Sequence, residues 1–184
     1  MSPHRVSLFC AAGLVAVALS ACNPNVFPVE VQGETTIPGD PSPIPGLLNA
    51  FPGIGSFANI DFNQTQEFQN QGVTKDQVRS VHVDHVQIRI LSPETQDFSF
   101  LENLQFFASA ADQELLVAEK FGIDKLGLKA PNPVLELDVK KDVDLAPFVT
   151  AEKMSIIVRG KGRMPPQETR LEATVGVNVE VTIF

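Results

Sequence analysis

From Leu171 to Ile183 every odd position is apolar (Leu171, Ala173, Val175, Val177, Val179, Val181, Ile183), and the even positions are Glu172, Thr174, Gly176, Asn178, Glu180 and Thr182. Successive side chains of a strand point to opposite faces, so this unbroken period of two predicts a long strand with one buried face. Such a strand cannot fold alone, because its apolar face needs a second layer against it. Residues 153–164 alternate likewise, with Met154, Ile156 and Val158 on one side and Ser155, Ile157, Arg159, Lys161 and Arg163 largely on the other. Between them Met164-Pro165-Pro166-Gln167-Glu168 cannot continue a ladder, since Pro donates no backbone hydrogen bond, and a hairpin with a stiff loop is expected.

Further strand candidates are 28–37, 57–68, 79–91, 105–111, 114–121 and 133–140. Helical signal is confined to single turns: a capping-box spacing at Thr74-Lys75-Asp76-Gln77, and short runs at Phe100–Leu104 and Asp144–Phe148. The expectation is an all-β protein, an antiparallel β-sandwich of about seven or eight strands with a few single-turn helices. A parallel α/β sheet is excluded, because its crossovers require helices of about a dozen residues. The domain is expected over 28–184, with a Pro- and Gly-rich apolar insertion at 38–56 that holds five of the chain's Pro. No internal repeat is visible.

Composition narrows the function classes. The chain has 184 residues and a formal net charge of −8, which leaves no basic footprint for nucleic acid. It carries 13 Phe with no Trp and no Tyr. Sugar sites usually stack on those amphipathic rings, whereas Phe has no polar handle and belongs in a core. Phe98, Phe100, Phe106, Phe107 and Phe121, with Leu101 and Leu104, are expected to form much of that core. The signatures of a nucleophile elbow, a zinc-protease helix, a phosphate-cradling loop and a dinucleotide fingerprint are all missing from the sequence.

At the N-terminus Arg5 precedes an uncharged apolar run at 6–19, too short to span a membrane but fitting a secretory signal. Leu19-Ser20-Ala21-Cys22 follows directly. This order resembles a bacterial lipoprotein signal with its lipobox. The resemblance implies cleavage between Ala21 and Cys22, removal of residues 1–21, a diacylglycerol on the Cys22 sulfur and a short tether over 22–27. It places the protein on a bilayer in the bacterial envelope through acylated Cys22. Asn23, where many inner-membrane lipoproteins have Asp, favours the outer membrane. Arg5 is the one charged side chain in the removed segment, so the exported part carries −9. β-Sandwiches of this general look occur among envelope lipoproteins of unassigned function.

Four places invite a chemical reading. His82, Asp84 and His85 could hold a divalent ion, or centre a metal-dependent enzyme, if a one-residue bulge near Asp84-His85 brings both imidazoles to the solvent face. That bulge is expected, because Val81 and Val83 are odd whereas Val86, Ile88 and Ile90 are even. The alternative is a bulged strand with a polar outer face. Asp138, Asp142 and Asp144 lie close in sequence as calcium ligands would, although Asp144 also suits capping of the Leu145–Phe148 turn. Arg159, Lys161, Arg163 and Arg170 form a basic stripe that could meet phosphate or an acidic partner, or pair with Glu168 and Glu172 and protect a sheet edge. Ile44, Leu47, Leu48 and Phe51 follow helical spacing, and with Ile54 and Phe57 make an apolar segment that either packs over the sandwich or presents a binding face.

The expected function is a lipid-anchored, non-enzymatic structural or binding module that needs no cofactor, its partner an envelope protein. The alternative is a carrier or sensor of a small apolar ligand with 44–57 as its lid. A sizeable apolar cavity beneath that segment would support the alternative.

Overall fold

The alternating C-terminal segment is the spine of one sheet in the computed structural model, which describes residues 25–42, 44, 46–48 and 50–182. Nine strands are present among them: β1 (Val26–Ile37), β2 (Leu47–Leu48), β3 (Val78–Ser92), β4 (Leu101–Ala110), β5 (Gln113–Phe121), β6 (Val134–Glu136), β7 (Asp138–Val139), β8 (Ser155–Arg163) and β9 (Thr169–Val181). Two short helices, α1 (Gln66–Gln71) and α2 (Ala146–Val149), join them. One sheet has the order β1-β9-β3-β6 and the other β2-β8-β4-β5-β7, with every pairing antiparallel. The chain is an all-β sandwich, as its periodicity implies.

β9 lies between β1 and β3 and buries Leu171, Ala173, Val175, Val177, Val179 and Val181. They share one buried core with Leu104, Phe106, Ala108 and Val117 from the second sheet and with Phe57, Phe62 and Phe68 from the connections. Phe68 stands edge-on to Phe27 and Phe62, with centroids 5.4 and 5.9 Å away. Between the layers Val31, Phe62, Val83, Ala108, Val117 and Val175 line an apolar void of about 20 Å³, little more than room for one water.

Several expectations change. β8 and β9 do not form a hairpin: they lie in different sheets, and Met164–Glu168 arches from one layer to the other. Of the links between consecutive strands, the turn at Ala111-Asp112 alone joins hydrogen-bonded neighbours, β4 and β5. Residues 57–68 are not a strand. Asp61 accepts from the Asn63 N–H at 3.1 Å and starts a 3-10 turn at Phe62–Gln64, and α1 follows, so local side-chain capping outweighs the alternation. The segment at 133–140 is two short strands; β6 pairs with β3 and β7 with β5, and buried Leu137 sits where the chain changes sheet. β1 begins at Val26, inside the expected tether. The capping box at Thr74 is present, with Gln77 Oε1 accepting from the Thr74 N–H at 2.9 Å. The turn expected at Phe100–Leu104 lies earlier, at Phe98–Phe100, and Leu101 already opens β4. Phe98, Phe100, Phe106, Leu101 and Leu104 are core, but Phe107 faces outward and Phe121 is 60% exposed.

Where helical spacing was expected, Leu47–Leu48 is a short strand, β2. Asp40 Oδ1 and Oδ2 accept from the N–H groups of Ser42 (3.0 Å) and Gly46 (2.8 Å), and the Ser42 hydroxyl first, then these two N–H groups, hold the Asp40 carboxyl below its ordinary pKa. The chain leaving this loop then docks on the end of β8, Leu47 opposite Arg163 and Leu48 opposite Gly162.

Candidate functional site

The expected bulge in β3 is present. Val83 lies opposite Val177 and His85 opposite Gly176, so Asp84 is the extra residue. Its consequence for chemistry differs from the metal reading. His82 Nδ1 lies 3.0 Å from the Val143 carbonyl oxygen, whereas His85 Nδ1 lies 2.9 Å from Asp84 Oδ2 and its Nε2 is 3.9 Å from Glu30. The two imidazoles are drawn to different partners. Among the described residues no three His, Cys, Asp or Glu are grouped to hold a metal ion, and His82, Asp84 and His85 lie along the bulged outer face of β3. Gly176 explains the position of the His85 ring: a Cβ there would lie 2.3 Å from it. Glu30, Gln32, His85, Gln87, Arg89 and Glu172 line a shallow polar cleft of about 240 Å³ on this face.

The acidic trio also separates. Lys120 Nζ donates to Asp138 at 2.8 Å, while Asp144 Oδ1 accepts from the Val81 and Ala146 N–H groups at 2.8 and 2.9 Å. Asp144 thus joins β3 to the start of α2, the capping role that its place before the turn suggested.

The basic stripe is divided by the arch between β8 and β9. Arg170 belongs to β9 and pairs with Glu34 at 3.3 Å. Arg159, Lys161 and Arg163 stay together on the outer side of β8. Arg159 donates to Glu114 at 2.7 Å and its guanidinium lies 4.5 Å from the Phe107 ring centre. Glu168 and Glu172 are not its partners; Glu172 takes Arg89 at 2.6 Å. Lys161 and Arg163 have no carboxylate within 4.0 Å among the described residues. Farther across the sheet Glu119 accepts from Lys140 at 2.7 Å and from Gln105 at 3.1 Å, which lowers its pKa and raises that of Lys140.

The apolar segment splits into two roles. Leu48, Phe51, Ile54 and Phe57 are buried, whereas Ile44 is 82% and Leu47 64% exposed. Phe51 packs where β8 has Gly160, whose added Cβ would lie 3.1 Å from the ring. Ser56 Oγ donates to the Gln32 carbonyl at 2.7 Å and Thr35 Oγ1 to that of Gly53 at 3.2 Å, so the loop runs along β1. Beside it an open cleft of about 360 Å³ is bounded by Ala50, Phe51, Gln105, Val158, Gly160 and Lys161.

Sequence reasoning missed Lys75. Its side chain is only 10% exposed, and its ammonium meets Asp61 Oδ1 (2.8 Å) and the carbonyls of Ala151 (2.7 Å) and Glu152 (3.1 Å). A lysine inside a capping box reads as solvated; nothing local signals the acceptors 76 and 77 residues away.

No protein-family model matches the chain, and no curated protein matches it. Among solved structures it is similar to the BFDV capsid protein in a decameric crystal structure, at 9% identity over 84% of this chain and 99% of that one, with a TM-score of 0.37. The 60-mer of the BFDV capsid protein gives 9% identity, 85% and 94% coverage and a TM-score of 0.33. The cryo-EM structure of Mud crab tombus-like virus gives 10%, 100% and 94%, and 0.29. Likeness this low carries nothing about activity or partners.

Proposed function

We propose that this chain is a lipid-anchored protein of the bacterial envelope, outer membrane rather than inner, acting as a non-enzymatic binding module. Ala21 and Cys22 lie outside the described residues; what supports the reading is their spacing from the fold. The lipobox-like Leu19-Ser20-Ala21-Cys22 ends four residues before β1 opens at Val26. An acyl group on Cys22 therefore holds the pole where β1 starts and β9 ends against the bilayer. β1 then runs 12 residues, about 36 Å at 3.3 Å per residue, to the opposite pole. There stand exposed Ile44 and Leu47 and the basic end of β8. These groups point away from the membrane that holds the protein, which suits contact with a partner and not with the same bilayer. Buried Leu48, Phe51, Ile54 and Phe57 fill the space beneath the 44–57 segment, and a carrier of a small apolar ligand would need some 300 Å³ or more of enclosed volume there.

The test is fractionation of cells carrying Cys22→Ala. Loss of metabolic palmitate label and movement from the membrane to the soluble fraction are expected. A variant still in the membrane fraction would overturn the anchor, and wild-type protein in the inner-membrane band of a density gradient would overturn the choice of membrane.

A further inference from the structure

The second sheet has a gap in its edge. At one end of β8 both backbone groups of Met154 bond to Ile60, at 2.7 and 3.0 Å; at the other, Gly162 pairs with Leu48 and the Met164 N–H donates to Gly46 at 2.8 Å. Backbone groups of an antiparallel strand face alternate sides, so Ile156, Val158 and Gly160 present their N–H and C=O groups to the same side as Met154 and Gly162. β4 occupies the other side throughout, and the register shift in that pairing lies on β4, at Glu102, so the parity along β8 is unbroken. Among the described residues nothing bonds to the outward backbone groups of Ile156, Val158 and Gly160. The chain that could have covered them leaves β8 after Leu48, follows β1 through Gly53 and Ser56, and returns at Ile60.

We infer that this gap accepts an extended acidic peptide as an added strand of the sheet. An added strand would satisfy the three outward N–H and three outward C=O groups, the usual basis of affinity when a peptide joins an edge. The cleft of about 360 Å³ beside Val158 and Gly160 gives it entry. Its inward side chains would meet Phe51 and Val158. Its outward side chains would lie beside Arg159 and Lys161, with Arg163 standing just past the end of the gap, opposite Leu47; Lys161 and Arg163 have no carboxylate partner among the described residues. Opposite charges on neighbouring strands attract, and like charges repel, so carboxylates at alternate positions select the guest. The same rule disfavours a second copy, since β8 against β8 would set this basic row against itself. Edge lysines normally keep a strand from recruiting others; here they exclude neutral and basic strands and admit an acidic one.

This site rests on the reading of the chain as a binding module, and not on the anchor. The probe is a capped eight-residue peptide of alternating Glu and Val, titrated into ¹⁵N-labelled full-length protein. Amide shifts centred on Ile156, Val158 and Gly160 are expected. Binding should weaken at least about tenfold for Lys161→Glu with Arg163→Glu, and on raising salt to about 0.5 M, where charges are screened within roughly 4 Å. A peptide with N-methyl groups on its pairing amides should fail to bind, which tests the ladder without altering the protein. No binding, shifts elsewhere, or equal binding of the N-methylated peptide would overturn the proposal. So would self-association of the wild type that the charge reversal abolishes, which would make a second copy the occupant. Cys22→Ala protein should bind the peptide equally, so a failure of the anchor and a failure of the edge are read separately.

Discussion

Lys75→Met tests whether a buried ammonium fastens the irregular 57–77 segment to the sandwich. Methionine keeps most of the stem and removes the charge, so the change isolates the polar contacts. Lys75 Nζ donates to the carbonyls of Ala151 and Glu152 and meets Asp61, which accounts for all three of its N–H groups. Hydrogen bonds from a charged donor contribute about 1.5 kcal/mol each, so the two carbonyl bonds set a gross loss of about 3 kcal/mol. Ala151 is half-buried and Glu152 exposed, so water recovers part of this, and a net loss of about 2 kcal/mol is expected. Urea unfolding should show a lower midpoint at unchanged slope. A double-mutant cycle with Asp61→Asn should show coupling between the two positions. The pair also has a pH signature. The Lys75 ammonium, assisted by the Asn63 N–H, holds the Asp61 carboxyl below its ordinary pKa. A carboxyl lowered in the folded state contributes stability above its unfolded pKa and loses it as pH falls through the folded value. Wild-type stability should therefore decline below about pH 4, and Lys75→Met should flatten that part of the acid limb. A loss under about 0.5 kcal/mol, or an unaltered acid limb, would refute the fastening role.

Two more substitutions separate tight places from permissive ones. At Gly162 an added Cβ would lie 2.2 Å from the Phe100 carbonyl oxygen and 2.9 Å from Leu101 Cα, both backbone atoms, so Gly162→Ala should cost about 2 kcal/mol or more in urea unfolding. At Gly176 the obstacle is the movable His85 ring, so Gly176→Ala should cost under about 1 kcal/mol while shifting the His85 ring resonances. The apolar segment should divide in the same assay: Phe51→Asp should lower the melting temperature steeply or abolish folding, whereas Ile44→Asp and Leu47→Asp should change stability by no more than about 0.5 kcal/mol. Equal sensitivity of Leu47 and Phe51 would show that the exposed half is packed.

The candidate site was legible in part. The change of apolar phase at Val83 to Val86 announced the β3 bulge, because one extra residue is the only local way to keep both halves facing the core. The same bulge did not announce His85 over Gly176, a contact between β3 and β9 that depends on register. The row Arg159, Lys161 and Arg163 was visible as alternate residues of one strand. That Arg159 and Lys161 border an unpaired stretch while Arg163 lies opposite Leu47 was not, because pairing is a property of the chain next to β8.

Periodicity suffices to define a β protein with one apolar face per long strand: side-chain alternation is dictated by the backbone of a single strand, and β1, β3, β8 and β9 all display it. The sequence also holds Leu19-Ser20-Ala21-Cys22, on which the proposed anchor rests. The tertiary structure alone decided which strands are neighbours, turning an apparent β8–β9 hairpin into an arch between layers and splitting 133–140 between two sheets. Backbone hydrogen bonds are the same for every residue, so they leave no mark in the sequence of the strand that makes them. The gap along β8 arises from that indifference: its donors look like those of any other strand until the fold leaves them without a partner among the described residues.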